Sequence, residues 1–267
     1  MNVNLDESGD SRSVLRVWEN LRLIHPGNIF LVDRAEADLV VIPAYGRHDH
    51  IEIETRELKR EGREYAIIQL ALQSTRNPNP EDWLEIWQGA KVVWSYYALP
   101  GKFNLYHAPL GADSKVFHPL NLDRGYLVGT TGNYARAECL WEVGSAARKV
   151  GWDMLRITGL THDEEINRAY NDCKFISGLR RKDGFELPVV EGLLAGARPI
   201  VFDTPNYRQW YEGLARFIPE RTPAETVINL MNLFCDDFAP VTSLDISYAR
   251  DMFNWSALIK DFWERCV

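Results

Sequence analysis

The sequence has few of the features that mark metal-binding, redox or membrane proteins. Its four cysteines among 267 residues are widely spaced and form no CxxC pair, a pattern typical of reduced thiols. No apolar run reaches the roughly 18 residues of a membrane span, and the polar first residues do not resemble a signal peptide. We therefore expect a soluble, cytoplasmic protein without a transmembrane segment.

Basic charge is also scarce. The chain carries 38 acidic and 30 basic residues, which gives a formal net charge of -8. A molecule with this charge repels polyanions, so a nucleic-acid partner requires a local basic patch. Apolar side chains make up 46% of the chain, which is enough for one large core or two modest ones.

Short β-branched runs alternate with stretches of helical spacing along the whole chain. This pattern predicts parallel sheets with crossover helices, and hence an α/β fold. In the first half we predict strands at residues 2–5, 29–32, 39–42, 66–70, 92–95 and 105–108, with helices at 11–23 and 80–88. In the second half we predict strands at 126–129, 154–158, 175–178, 198–202 and 216–218, with helices at 138–150, 163–171, 188–195 and 223–234.

A polar segment at residues 118–125 separates the two halves and contains Pro119. We therefore expect an N-terminal Rossmann-like domain at residues 1–118, a C-terminal one at 119–250 and a last segment at 251–267. Open parallel sheets bind ligands at the carboxyl ends of their strands. Two such sheets facing one another make a cleft for two substrates.

Residues 175–203 have the pattern of strand, loop, helix, turn and strand. Pro188 suits the first helical position, where an amide hydrogen has no intrahelical partner. Gly196 suits the left-handed residue that ends many helices. The helix between them aims free N–H groups and its positive dipole end at the loop 183–187, and such an end binds phosphate.

Two carboxylates flank this helix start. Asp183 lies in the loop, and Glu191 follows eight residues later inside the helix. Carboxylates suit sugar and ribose hydroxyls, which donate hydrogen bonds. The apolar neighbours of Glu191 favour a functional role over an ordinary solvated helix charge, whereas Asp183 precedes Gly184 and has either a turn role or a binding role.

Four segments together resemble one known family. DGFELPVVEGLLAGARPIV (183–201) resembles the (E/D)GFGLPxxEAxAxGxPVV signature of retaining GT-B glycosyltransferases of the GT4 type, also called glycosyltransferase group 1. GADSKVFHP (111–119) is similar to the family's GVDxxxFxP, THDEEINRAYNDCKFIS (161–177) to its helix-then-strand segment, and FNWSALIKDFW (253–263) to its closing helix. The resemblance implies the GT-B fold, with two doubly wound Rossmann-like domains, a cleft between them and a C-terminal helix crossing back to the N-terminal domain.

The resemblance also implies a donor site for a nucleotide diphosphate sugar, with UDP-glucose or a related UDP-sugar favoured. Glu191 would hold the donor ribose hydroxyls, and Asp183 would contact hydroxyls of the transferred sugar. The backbone amides at residues 185–187 would meet the sugar and the diphosphate. The donor-binding residues expected besides Glu191 are Gly184, Phe185, Glu186, Leu187, Arg180, Arg181, Thr131 and Gly159.

Positive charge has to neutralise the leaving phosphate in such an enzyme. The family's first C-terminal loop supplies an Arg and a Lys, whereas the corresponding loop here, GTTGNYARAE, contains Arg136 as its one basic residue. Arg180, Arg181 and Lys182 are candidates for the second charge, and a solvated basic turn is the alternative. We expect Asp183, Arg136 and Lys182 to be catalytic, with no metal and no tightly bound cofactor.

The acceptor side is expected in the N-terminal domain. Ser8 and Gly9 follow the first strand, where the family's Gly-rich loop approaches both substrates. His48 and His50, in the loop PAYGRHDH, are candidates for acceptor contacts or ordinary surface residues. The family's His after a middle strand has no counterpart in AIIQLALQS (66–74), so the helper at the anomeric carbon is not identified.

The resemblance implies retention by same-face substitution, in which the departing phosphate oxygen accepts the acceptor's proton. The acceptor is a glycan, a small molecule or, because the chain is compact, a hydroxymethylated DNA base. A lipid-linked acceptor is disfavoured, because the N-terminal half lacks an amphipathic basic helix. A non-catalytic nucleotide-sugar binder is the alternative to an enzyme, and an epimerase or a phosphorylase would need signatures that the sequence lacks.

One cluster of basic and aromatic residues bears on the DNA acceptor. These residues could form a surface that binds nucleic acid. The favoured interpretation is that the basic residues lie on a solvated helix and the aromatic residues lie in the core. Its members are Arg56, Lys59, Arg60, Arg63, Tyr65, Trp83, Trp87, Trp94, Tyr96 and Tyr97.

Overall fold

A computed structural model gives the fold of the chain. It describes residues 1–6, 12–45, 48–72, 80–131, 138–160, 162–181, 185–236 and 239–267, without the side chains of Ser13 and Pro80. Two compact units are present. Unit 1 comprises Met1–Leu110 and Trp255–Val267, and unit 2 comprises Gly111–Asn254.

Unit 1 is built on a parallel sheet of six strands in the order β2-β1-β3-β4-β5-β6. The strands are β1 (Asn2–Leu5), β2 (Phe30–Leu31), β3 (Leu39–Tyr45), β4 (Glu64–Ala71), β5 (Val93–Ser95) and β6 (Leu105–His107). The helices are α1 (Arg12–Leu23), α2 (His48–Arg60), α3 (Leu84–Gly89) and α10 (Trp255–Cys266), with 3₁₀ turns at Arg34–Glu36 and Pro80–Trp83.

The core of unit 1 lies around the two central strands. Six of seven positions in β3 and six of eight in β4 are buried, as expected for parallel strands covered on both faces. Trp94 on β5 packs against Trp255 and Phe262 of α10, with ring centroids 6.4 and 5.5 Å away. Trp263 also donates a hydrogen bond of 2.9 Å to the carbonyl of Ile24. These contacts fix the C-terminal helix within unit 1.

Unit 2 is built on a parallel sheet of five strands in the order β8-β7-β9-β10-β11. The strands are β7 (Tyr126–Thr130), β8 (Met154–Arg156), β9 (Cys173–Ser177), β10 (Arg198–Phe202) and β11 (Arg216–Ile218). The helices are α4 (Leu140–Lys149), α5 (Asp163–Asn171), α6 (Leu187–Leu194), α7 (Pro205–Tyr211), α8 (Pro223–Cys235) and α9 (Ser243–Met252).

Threonine caps begin three helices of unit 2. The Thr204 hydroxyl accepts a hydrogen bond from the amide of Tyr207 at the start of α7. Thr222 and Thr242 form capping boxes with Glu225 and Asp245 at the starts of α8 and α9. Each cap satisfies amide groups that have no intrahelical acceptor.

Close approach at Gly178 sets the position of α6. A Cβ atom at this residue would lie 2.2 Å from Cγ2 of Val189, so a larger side chain would push the first turn of α6 away from the end of β9. Gly196 ends the helix region with φ of 85°, the left-handed conformation that the sequence predicts there. The two glycines therefore fix where α6 begins and where the chain turns into β10.

The polar segment after Leu110 is bound to unit 2. Phe117 packs against Tyr170 with ring centroids 6.0 Å apart. The amide of Leu120 donates to the side chain of Asn171 over 2.7 Å, and Arg124 donates to the carbonyl of Gly196 over 2.7 Å. Residues 111–125, which include the predicted linker 118–125, are thus held by side chains of α5 and by the turn after α6.

Candidate functional site

The strand order of unit 2 reverses between β7 and β9. β7 pairs with β8 on one side and with β9 on the other, so the chain leaves the ends of β7 and β9 in opposite directions. A crevice forms at this point in open parallel sheets, and it is where such folds bind ligands. The loop after β7 and the loop from β9 to α6, both singled out from the sequence, therefore begin at the two strands between which the order reverses.

The start of α6 faces the end of β9 with few free amides. The amide of Val189 donates to the carbonyl of Glu186 over 2.9 Å, and Pro188 has no amide hydrogen. Leu187 is the first helical residue, so its amide has no acceptor within the helix. Contact of the backbone amides of residues 185–187 with a donor stays a prediction.

Glu191 is buried in α6, with a relative exposure of 2%. One of its carboxylate oxygens accepts a hydrogen bond of 3.0 Å from the hydroxyl of Tyr170, which is itself buried at the end of α5. The alternative that Glu191 is an ordinary solvated helix charge is therefore wrong. Contact between Glu191 and a donor ribose stays a prediction.

Arg180 and Glu186 form an ion pair across the loop between β9 and α6. Nη1 of Arg180 lies 3.4 Å from Oε1 of Glu186, and the two side chains are 32% and 13% exposed. Burial raises the pKa of Glu186, Arg180 lowers it, and Glu138 at the end of the loop after β7 raises it. The balance leaves the pKa of the Glu186 carboxyl above its ordinary value.

Arg181 is bound by protein acceptors. Its guanidinium donates to Glu142 over 3.0 Å and to the carbonyl of Arg221 over 2.8 Å, and it lies 3.8 Å from Glu220. Glu142 belongs to α4 and is 4% exposed, so the pair joins α4 to the loop after β9. A buried carboxylate requires such a partner. The alternative of a fully solvated basic turn is therefore wrong for Arg181.

The remaining described residues of the predicted donor site follow β7 and β8. Thr131 comes directly after β7, and its neighbour Thr130 accepts a hydrogen bond from the amide of Ile157 over 2.8 Å. Gly159 follows β8 with φ of 76°, and no heavy atom lies within 4 Å of the position of a Cβ atom there. Both residues thus lie at carboxyl ends of neighbouring strands, and their contact with a donor stays a prediction.

Six of the predicted site residues lie outside the described part of the chain. Three of them are the predicted catalytic residues. The six are Ser8, Gly9, Arg136, Lys182, Asp183 and Gly184.

The two histidines predicted on the acceptor side differ from one another. His48 begins α2, and its Nε2 lies 2.9 Å from the carbonyl oxygen of Asp82. Its ring meets the indole of Trp83 edge-on with centroids 4.8 Å apart, and the side chain is 12% exposed. His50 is exposed on the same helix. His48 therefore holds the start of α2 against the 3₁₀ turn at Pro80–Trp83, and an acceptor contact stays a prediction for both.

The cluster proposed as a nucleic-acid face is not available for base stacking. Its aromatic members Tyr65, Trp83, Trp87, Trp94, Tyr96 and Tyr97 are all buried, with exposures between 0% and 7%. Stacking on bases requires an exposed ring face. The prediction of a nucleic-acid face is therefore wrong, and the interpretation of these aromatic residues as core is correct. Arg56 is paired with Glu52 at 2.6 Å, and Arg63 donates to the carbonyl of Ala35 over 3.3 Å.

Two residues important for this region were not singled out from the sequence. Glu142 is the partner of Arg181, and Tyr170 is the partner of Glu191. Each lies in an amphipathic helix whose sequence contains no motif that marks it. The available signal was an acidic residue within the apolar stretch of α4, because a charge on a buried helix face requires a partner. Which residue is that partner depends on how α4 packs, and the spacing of residues in the sequence does not show it.

Several negative findings apply to the described residues. They contain no group of three or more His, Cys, Asp or Glu side chains arranged to hold a metal ion. All four cysteines are free thiols, and Cys235 is the exposed one. None of the helices in the described ranges is both long enough and apolar enough to span a bilayer.

Comparisons with known proteins reveal likenesses in structure. No protein-family model and no curated protein matches the sequence. Among solved structures, the chain is similar to sucrose-phosphate synthase from Thermosynechococcus elongatus, with a TM-score of 0.76 at 10% identity over 99% of this chain and 98% of that one. It is also similar to HepE from Anabaena, solved with UDP and glucose, with a TM-score of 0.74 at 10% identity over 99% and 98%. The UDP-glucose complex of HepE matches with a TM-score of 0.72 at 11% identity over 99% and 98%.

These likenesses cover nearly the whole of each chain, so they establish the fold. The two parallel sheets of six and five strands with interspersed helices are those of the GT-B class. The predicted α/β fold with two Rossmann-like units is therefore confirmed, including the return of the C-terminal helix to unit 1.

Proposed function

We propose that the chain transfers a sugar from a nucleotide diphosphate sugar to a hydroxyl acceptor, with retention at the anomeric carbon and without a metal. The observation that carries the proposal is the position of the loop between β9 and α6. This loop contains the acidic signature that resembles GT4 glycosyltransferases, and it follows β9, one of the two strands between which the strand order reverses. Ligand binding at this point is a general property of such sheets.

The donor contacts follow from the order of groups along this loop. Arg180 supplies positive charge beside the amides of Glu186 and Leu187, and this combination suits a diphosphate. Glu191, one turn further along α6, suits the ribose hydroxyls, and Asp183 suits hydroxyls of the transferred sugar. Arg136 and Lys182 complete the positive charge, with Thr131 and Gly159 at the neighbouring strand ends. Arg181 is left out, because Glu142 and Glu220 already bind its guanidinium.

UDP-glucose is the donor to test first. HepE, which shares the fold, has been solved with UDP and with UDP-glucose. We propose the same class of donor for this chain. The neighbouring fold of sucrose-phosphate synthase agrees with a sugar-transfer reaction on this architecture.

The reaction requires little acid–base chemistry from the protein. The bond from the anomeric carbon to the donor's phosphate oxygen breaks, and the acceptor oxygen bonds to the same face of that carbon. The departing phosphate oxygen takes the acceptor's proton, so charge and atoms balance without an enzymic nucleophile. The protein contributes alignment of the two substrates and fixed positive charge at the leaving group.

A thermal-shift panel of UDP, GDP and ADP sugars tests the donor. A ligand that binds the folded state alone raises the melting temperature, by an amount that grows with its concentration over Kd. We expect UDP-glucose to stabilise the wild type and to stabilise Glu191→Gln much less. Glu212→Gln is the matched control, because Glu212 is an exposed carboxylate of unit 2 paired with Arg208. Stabilisation by none of the sugars would refute the proposal.

Transfer is then measured with labelled UDP-glucose in the presence of EDTA. The acceptors are a glycan, a lipid-linked sugar, a small polyol and DNA containing hydroxymethylcytosine. Transfer to any of them with the anomeric configuration of the donor supports the proposal, and inversion contradicts the retaining part of it. Binding without hydrolysis or transfer would favour the second candidate, a non-catalytic nucleotide-sugar binder, which the engagement of Arg181 by Glu142 also favours.

A further inference from the structure

Glu186 places a carboxylate where the resembled signature has a glycine. The residue is the N-cap of α6, but its side chain makes no capping hydrogen bond. The carboxylate instead pairs with Arg180 at 3.4 Å and is 13% exposed. A negative group at the start of a helix that is proposed to receive a diphosphate requires an explanation, because like charges repel.

The charges around Glu186 come from both loops of the crevice. Among the described residues, the charged groups that act on its carboxyl are Arg180, from the loop after β9, and Glu138, from the loop after β7. Glu191 lies further along the same helix and is hydrogen bonded to Tyr170. Glu186 therefore depends on a single described cation for its compensation.

We propose that Glu186 is a positioning residue, which holds Arg180 while no donor is bound and releases it to the donor's diphosphate, taking up one proton from solvent as it does so. The inference rests on the proposed function. In this exchange the guanidinium keeps its charge and changes partner, and the Glu186 carboxylate becomes a neutral carboxylic acid.

The direction of the proton follows from the environment of the carboxyl. Burial already disfavours the charged form and raises the pKa of Glu186, while Arg180 opposes this. When Arg180 turns to the diphosphate, burial and Glu138 remain and the negative phosphates are added, so the pKa of Glu186 is higher in the complex than in the free protein. The donor therefore binds more tightly as the pH falls from the pKa in the complex to the pKa in the free protein, and below the latter the affinity is constant.

Calorimetric titration with UDP-glucose measures this proton directly. UDP-glucose is the suitable probe because each phosphate of its diphosphate is esterified on both sides and so lacks the ionisation that a phosphate monoester has near about pH 6. Each titration is repeated in two buffers of different ionisation enthalpy, which gives the number of protons taken up. The proteins are the wild type, Glu186→Gln and the control Glu212→Gln.

At a pH between the pKa of Glu186 in the free protein and its pKa in the complex, we expect wild type and Glu212→Gln to take up protons on binding, and Glu186→Gln to take up none. Because the amide needs no proton to release Arg180, the affinity of Glu186→Gln for UDP-glucose should not change with pH, whereas the affinity of wild type should fall as the pH rises above the pKa of Glu186 in the free protein. Arg180→Gln should take up fewer protons than wild type, because Glu186 then loses no cation when the donor binds and its pKa changes less. This second variant tests the inference if Glu186→Gln does not fold.

The outcomes separate the inference from the proposed function. Binding with the same proton uptake in wild type and Glu186→Gln overturns the inference and leaves the proposed function standing. No binding of UDP-glucose by any of the proteins overturns the proposed function and the inference with it.

Discussion

The hydroxyl group of Tyr170 donates a hydrogen bond of 3.0 Å to a carboxylate oxygen of Glu191, and both side chains are buried. This bond joins the end of α5 to the middle of α6. A buried carboxylate requires hydrogen-bond donors, since it has lost its contacts with water. Tyr170 therefore helps to keep the carboxylate proposed to bind the donor ribose in place.

Replacing Tyr170 with phenylalanine tests this relationship. Tyr170→Phe removes one donor from a buried charged group, and we expect the free energy of unfolding to fall by about 1–3 kcal/mol. Urea titrations of wild type and variant measure the difference. Tyr248→Phe is the control, because Tyr248 is 52% exposed on α9 and its change should stay within about 0.5 kcal/mol. Equal effects of the two substitutions would mean that the bond to Glu191 contributes nothing.

Much of the fold can be predicted from the sequence, because hydrophobic periodicity determines it locally. Strand β1, helix α5 and strands β10 and β11 have the predicted bounds. In contrast, α7 and α9 were not predicted, and the helix expected around Arg56 and Lys59 begins earlier than expected, because His48 and His50, assigned to a loop, lie in α2. Helix α2 has many charged residues and buries Ile51, Thr55 and Leu58 alone, while α7 and α9 depend on threonine caps for their starts. Short helices stabilised by caps and tertiary packing have weak periodicity.

Some features of the candidate site could also be predicted from the sequence, and others could not. Glu191 and the start of α6 could be predicted because proline, glycine and apolar residues mark the helix. The partners of the charged residues could not, because Glu142 lies 39 residues before Arg181 in the chain and Tyr170 lies 21 before Glu191. Such pairs form when α4 and α5 pack against the loop after β9 and against α6, and a single sequence carries no record of that packing.

Arg198 and Arg208 provide a comparison between a buried and an exposed arginine in unit 2. The Arg198 guanidinium is 9% exposed and donates to Asp245 over 2.9 Å, and also to the carbonyls of Leu214, Ala239 and Pro240. Arg198→Met leaves these acceptors and a carboxylate without their donor, so we expect a loss of about 3–5 kcal/mol in the free energy of unfolding.

Arg208 is 44% exposed and pairs with Asp203 and Glu212, so solvent screens both pairs. Arg208→Met should therefore cost far less stability than Arg198→Met. Urea titration of both variants at low and moderate salt measures the contrast. A loss at Arg208 as large as that at Arg198 would contradict the expectation that burial makes the Arg198 contacts more costly to break.

Stability in acid should depend on Asp245. Burial tends to raise the pKa of this carboxyl, but the amide of Thr242 and the guanidinium of Arg198 outweigh burial and hold the pKa below its ordinary value. A carboxyl with a lowered pKa in the folded state stabilises the protein above its unfolded pKa, and this contribution is lost as the pH falls through the folded pKa. We expect Asp245→Asn to be destabilised at neutral pH and the difference from wild type to shrink below about pH 4.

The control for Asp245 lies on the same helix. Asp251 is exposed in the last turn of α9, where a negative charge is unfavourable to the helix dipole. Asp251→Asn should therefore be neutral or slightly stabilising at neutral pH. Urea midpoints for both variants from neutral to acidic pH give the comparison, and a difference for Asp245→Asn that stays constant with pH would contradict the predicted shift.

Two helical glycines differ in the space around them. A Cβ atom at Gly192 of α6 would lie 2.5 Å from Cγ1 and 3.0 Å from Cβ of Ile176 on β9, so Gly192→Ala forces the helix away from the strand. We expect a loss of about 1–3 kcal/mol from this overpacking. A Cβ atom at Gly144 of α4 would meet Met154 at 3.4 Å, an ordinary contact with a flexible side chain.

Gly144→Ala should therefore show the gain in helix propensity without the steric cost, and stabilise unit 2 by up to about 1 kcal/mol. The test is whether the two substitutions change the free energy of unfolding in opposite directions, measured from the urea midpoints of the two variants. Because α6 begins over the end of β9, Gly192→Ala should also weaken the binding of UDP-glucose, whereas Gly144→Ala should leave it unchanged. Stabilisation by both substitutions would show that α6 can move away from β9 at no cost, and that the packing against Ile176 does not fix the start of α6.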